Sequence, residues 1–201
     1  MQATVKRVSR RLLLSMAALA LAAGTTQAQT QELEKFVING DAAKRAKVRD
    51  EISLATARRI ADDCLQQAAE RKMGVSVAIL NPAGNIVYAV RADGQGPVQI
   101  ETALMKAKTA LYLRDSTHAW QNRLDLNTAV RYLPMDQFFN SGGLPIVVND
   151  VLIGAVGAGG MPPSAQWSDE VCIHNALTKV IGPQPPLAPS IAPGAPAGPA
   201  R

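Results

Sequence analysis

Between residues 53 and 181 the hydrophobic pattern switches repeatedly between helical and strand periods, and the order of those switches constrains the fold more than any other feature of the chain. Over residues 53–72, Ala57, Ile60, Ala61, Cys64, Leu65 and Ala68 recur at helical spacing behind Ser53, a good capping residue, which predicts one amphipathic helix. Gly74 stops it. Two apolar runs, 75–80 and 86–90, then flank Asn81-Pro82-Ala83-Gly84-Asn85, a turn signal that predicts a β-hairpin. A polar loop through Asp93 and Gly94 leads to a second helix with Ile100, Ala103, Leu104, Ala107 and Leu111 on one face. Runs 144–148 and 151–156 around Asn149-Asp150 predict a second hairpin, and Ser168-Asp169-Glu170 opens a last helix that reaches about residue 181. Helix, hairpin, helix, hairpin, helix describes an α/β domain of the α+β type, an antiparallel sheet of five strands or so flanked by helices. Strands that are apolar on both sides predict cover on both sheet faces.

The ends of the chain are separable from this domain. Lys6, Arg7, Arg10 and Arg11 precede an apolar run at 12–23, and Thr26-Gln27-Ala28 offers small residues for cleavage, the pattern of an export signal over residues 1–28. The run is too short to span a bilayer, which needs about 20 residues. The Arg10-Arg11 pair fits either a twin-arginine or an ordinary Sec signal, and the mature protein is expected in the periplasm or secreted. Residues 29–50 form a polar N-terminal segment. Residues 182–201 carry seven of the 13 prolines and read as a polyproline-like or disordered tail. The domain proper, 51–181, has the usual size for one core.

Composition narrows the function. The chain has a formal charge of +5, but the expected leader holds four of its 21 basic residues and none of its 16 acidic ones. The remainder is nearly neutral, and with three Phe, three Tyr and two Trp it lacks the basic, aromatic surface of a nucleic-acid binder.

Several ordered motifs carry a family resemblance. Asn81-Pro82-Ala83-Gly84-Asn85, Arg91-Ala92-Asp93-Gly94, Lys106-Ala107-Lys108-Thr109-Ala110, Gly142-Gly143-Leu144-Pro145-Ile146, the run from Ile153 to Gly160 and Asp169-Glu170 follow one another as in the GlcG/HbpS family of haem-binding proteins, formerly a domain of unknown function. The resemblance covers about residues 52–181. It implies a profilin-like domain, assembly into homo-oligomers, often octamers, and haem as the small-molecule ligand in some members. Related domains accompany corrinoid adenosyltransferases. The sequence departs from the family pattern at Ala158-Gly159-Gly160 and in the approach from Met161 to Trp167, which is longer than in many members.

Few side chains can carry chemistry. His118 and His174 are too isolated for a three-ligand zinc site, so no metal site is expected beyond a haem iron. A haem needs one or two axial donors and an apolar slot. His118, next to Thr117 and near Trp120, is one candidate donor; the plainer reading is a partly exposed loop histidine beside a core Trp. His174 is the other, and it shares a helix face with Glu170, which also fits an ordinary surface pair. Lys106 is expected at the sheet edge near Arg91 and Asp93, where the three would hold a propionate. With Lys106 desolvated, the same group would suit a small isomerase or tautomerase moving protons on a carboxylated or cyclic metabolite, with Lys106 and Asp93 as the weak catalytic candidates. A solvated ion-pair network is an equal alternative. The glycine-rich run at 154–160 lacks the spacing and the following Lys-Ser/Thr of a phosphate loop and is expected to permit close packing instead. No nucleophile elbow is present. Cys64 and Cys172 either pair or remain buried thiols.

Overall fold

The computed structural model describes residues 32–38, 50–161 and 167–189. The expected leader, most of the polar segment 29–50, the centre of the approach at 162–166 and the tail from 190 onward lie outside the described residues.

Local sequence accounts for each main element. Helix α1 (Leu54–Glu70) starts where Ser53 Oγ accepts the Thr56 N–H at 3.2 Å. Strands β1 (Ser76–Leu80) and β2 (Ile86–Arg91) are joined by a turn in which Asn81 Oδ1 accepts the amides of Ala83 and Asn85. Helix α2 (Pro97–Leu113) has its proline in the first turn, where no N–H is needed. Two short helices, α3 (Thr117–Gln121) and α4 (Leu126–Arg131), follow. Neither reaches two turns, so neither leaves a readable period. Strands β3 (Gly143–Val148) and β4 (Val151–Gly159) meet at Asn149 and Asp150, both at positive φ, the twist a two-residue hairpin requires. Helix α5 (Asp169–Val180) is capped by Ser168, whose Oγ accepts the Val171 N–H.

The sheet is antiparallel throughout, in the order β2-β1-β4-β3. The described residues hold four strands rather than five, plus an isolated bridge between Val37 and Ile52. The polar segment docks on the domain there, with Val37 in the core and Leu33 and Phe36 packed against it, and the pairing stops where α1 begins two residues after Ile52. Helices α1 and α5 cover one face, with Ile60, Cys64, Ile173 and Leu177 packed on Val77, Ile79 and Ile153. On the other face α2 sets Ala107, Ala110 and Leu111 against Leu80 and Ala155.

The glycine-rich run forms the second half of strand β4, with Gly160 just past its end. A Cβ at Gly157 would fall 2.0 Å from the Ala103 carbonyl and 2.6 Å from the Ala107 amide nitrogen, so α2 lies directly on the strand backbone only because that carbon is missing. On the opposite face Cys64 and Cys172 form a disulfide between α1 and α5, with their Cα atoms 5.3 Å apart. Tertiary placement thus decides the alternative that spacing left open.

The first residues of the proline-rich tail do not leave the body. Residues 182–189 run along it, with Leu187 packed against the core and the Pro189 carbonyl accepting from Asn122 Nδ2 at 3.1 Å.

Candidate functional site

The two acids that open α5 each take a basic partner from a different element. Asp169 Oδ2 lies 2.8 Å from the Lys106 ammonium, which also donates to the Ala158 carbonyl at 2.9 Å, while Asp169 Oδ1 accepts the Met161 N–H at 3.0 Å. Both side chains are buried, at 4% and 9% exposure, which keeps water from competing for the contact. Glu170 turns to the other side. Its Oε2 accepts from His118 Nδ1 at 3.0 Å and from Ser141 Oγ at 3.1 Å, and its Oε1 accepts from Ser116 Oγ at 2.5 Å. Ser116 Oγ in turn caps α3 by accepting the His118 and Ala119 amides.

These pairings differ from the sequence expectation in three ways. Lys106 is matched with Asp169, and not with Arg91 and Asp93, which are exposed on the hairpin side; Arg91 donates to the Gln95 carbonyl there. The structure therefore does not assemble these three residues into one anion clamp. Glu170 is matched with His118, and not with His174 one turn along its own helix. Third, His118 belongs to the first turn of α3 rather than to a loop; its side chain is 13% exposed. Thr117 is buried and both roles of its hydroxyl are taken, donating to the Asn140 carbonyl and accepting the Gly143 N–H. It fastens α3 to β3.

Sequence reasoning read Asp169 and Glu170 as favourable charges at a helix start and missed them as partners of Lys106 and His118. Their signal was available: two adjacent acids at the head of an amphipathic helix, inside a family motif.

The hydrogen bond to Glu170 raises the His118 pKa above its ordinary value; burial works against this and the Glu170 charge adds to it. A raised imidazole pKa contributes stability that is fully present below the unfolded value and disappears as pH rises through the folded one. The wild type is therefore expected to lose stability relative to His118→Gln as pH rises from about 6.5 through the raised value of the folded protein. Thermal unfolding of both proteins across that range checks it; parallel curves would remove the ion pair from the account.

Two cavities adjoin these elements. The first, about 430 Å³, has a largely apolar wall that includes Leu144, Pro145 and Leu177, with His174, Arg114 and Arg123 also lining it and residues 184–188 closing it. His174 Nε2 lies 2.8 Å from the Pro185 carbonyl, and Arg123 is paired with Asp115 at 2.7 Å. The second, about 380 Å³ and more polar, is lined by Lys106, Asp169, Gln99, Thr102 and Asn140 among others. Among the described residues no group of three or more His, Cys, Asp or Glu side chains is placed to hold a metal ion.

Fold and site together define a small α+β sheet domain with a buried Lys-Asp pair and an imidazole on an apolar cavity. The chain belongs to the HbpS-like family of haem degrading proteins, whose model matches residues 52–178. Its similarity to solved structures agrees. A double mutant of HbpS from Streptomyces reticuli is 27% identical, with a TM-score of 0.60 over 67% of this chain and 90% of that one. Protein ORFY of Klebsiella pneumoniae is 25% identical, with a TM-score of 0.55 over 63% of this chain and 90% of that one. A PduOC–haem complex, at 21% identity and a TM-score of 0.57 over 64% and 94% of the two chains, shares the fold. An uncharacterized 15.0 kDa protein from the dhaT–dhaS intergenic region of Citrobacter freundii is 29% identical over 113 residues, covering 54% of this chain and 80% of its own.

Proposed function

We propose that this is an exported haem-binding protein that sequesters or delivers haem and works as a homo-oligomer. The observation that carries the reading is the 430 Å³ cavity, within the usual range of small-molecule sites, in a chain of the HbpS-like family. It combines an imidazole, His174, for the iron, an apolar wall for the macrocycle and the guanidinium of Arg114 for a propionate. PduOC, alike in fold, has been crystallised with haem. The leader read over residues 1–28 and the buried Cys64–Cys172 disulfide both support a compartment outside the reducing cytosol. Leu126, Val130 and Met135 offer an apolar face to a second copy, each more than half exposed.

Titration of the mature protein with hemin is expected to give a saturable Soret shift at about one hemin per chain. Replacing His174 by Ala is expected to move the Soret position and weaken binding, whereas His118→Ala leaves the spectrum in place because Glu170 holds that ring. Light scattering on the same sample is expected to give a mass several times that of one chain. Absence of saturable binding would sink the reading, and an unchanged spectrum in His174→Ala would move the iron elsewhere.

A second reading, a small proton-transfer enzyme, is favoured by one observation: Lys106 and Asp169 line the polar 380 Å³ cavity. The ammonium gives two of its three protons to Asp169 and the Ala158 carbonyl, leaving a third with which to hold a substrate carboxylate. Failure of the hemin titration would favour this cavity.

A further inference from the structure

We propose that residues 183–189 form a strap that competes in cis with haem for His174, so that iron reaches the imidazole only when the strap lifts. This rests on the reading of the apolar cavity as the haem site. The Pro185 carbonyl can only accept, so the 2.8 Å contact makes His174 Nε2 the donor and puts the proton there. A nitrogen that ligates iron must present a lone pair instead. For Nε2 to do so, the Pro185 carbonyl must leave and the ring proton must pass to Nδ1; the total number of protons on the ring is unchanged.

The segment is held in a way that allows release. It runs past β3, an edge strand, yet Pro183, Pro185, Pro186 and Pro189 have no N–H with which to extend the sheet. The anchors seen on the body are the His174 contact, the Asn122 bond to the Pro189 carbonyl at 3.1 Å and the packing of Leu187. The Gln184 side chain donates to the neighbouring Gly182 and Pro183 carbonyls. Residues 184–188 also line the cavity, so lifting the strap both frees the imidazole and opens the slot to a flat macrocycle.

The test uses the full chain with Leu187→Ser, and Asn122→Ala as a milder second variant should the first fold poorly. Acylation of His174 by diethyl pyrocarbonate, followed by peptide mass spectrometry, needs no haem. It is expected to speed up about tenfold in Leu187→Ser and by less in Asn122→Ala, with His118 unchanged. Hemin association followed by stopped flow is expected to rise by a similar factor with the same final Soret position, because affinity and rate scale with the open fraction. Unchanged acylation of His174 in both variants overturns the strap whatever haem does. Faster acylation with unchanged hemin association overturns the competition. Faster acylation in proteins that never bind hemin saturably brings down the haem reading, and the competition with it, while leaving the shielding of His174 established.

Discussion

Replacing Lys106 with Met is expected to lower the unfolding free energy by about 3 to 5 kcal/mol, the usual cost of leaving one half of a buried ion pair behind. Lys106 sits between α2 and α5, and its ammonium satisfies both Asp169 and the Ala158 carbonyl at the end of β4. Without it, Asp169 retains the Met161 N–H, a partner too weak to offset the desolvation of a carboxylate, and the carbonyl loses its donor as well. The methionine fills much of the space, so the loss is electrostatic rather than a cavity. The same reasoning predicts rescue. Changing Asp169 to Asn in the Lys106→Met background removes the stranded charge, keeps an oxygen for Met161 and should recover about 2 kcal/mol or more of the loss. Urea unfolding of the two single variants and the double variant checks the cycle. Coupling below about 0.5 kcal/mol would mean that the two side chains do not act as a pair.

The Cys64→Ala/Cys172→Ala double variant is expected to be less stable than the oxidised protein by about 4 kcal/mol. The bond closes a loop spanning a sequence separation of 108 residues, which takes in most of the domain, and the entropy removed from the unfolded chain grows with loop length. Both cysteines are fully buried between α1 and α5, so the alanines also lose some packing where the two helices meet. If the effect lies mainly in the unfolded chain, wild type unfolded under reducing conditions should nearly match the double variant in urea midpoint. A difference below about 1 kcal/mol between oxidised protein and double variant would show that the loop-closure account does not hold here.

The elements of this protein were legible because the forces that define them are local. A cap at Ser53, an Asx turn at Asn81 and a left-handed pair at Asn149-Asp150 act over four or five residues, so spacing alone places α1 and both hairpins. The family resemblance was legible for the same reason, since its motifs are short strings in order. The region between α2 and β3 was not, because helices of five and six residues fall below the length at which a hydrophobic period can be seen. The site was legible in its residues but not in its pairings. A helical wheel puts Lys106 at the edge of the buried stripe of its own helix, yet does not say which acid it will meet, and it met one 63 residues away rather than Asp93. Likewise Glu170 and His174 lie one turn apart on α5, and that proximity suggested a pair. The packing of α3 beside the start of α5 gave Glu170 to His118, 52 residues earlier, and left His174 to the strap. Sequence by itself determined the order and kind of the elements, because each is written in neighbouring residues. Only the tertiary structure decided which charges share a buried space, because that depends on how β4 and α5 bring distant segments together, and burial makes such a choice matter by several kcal/mol.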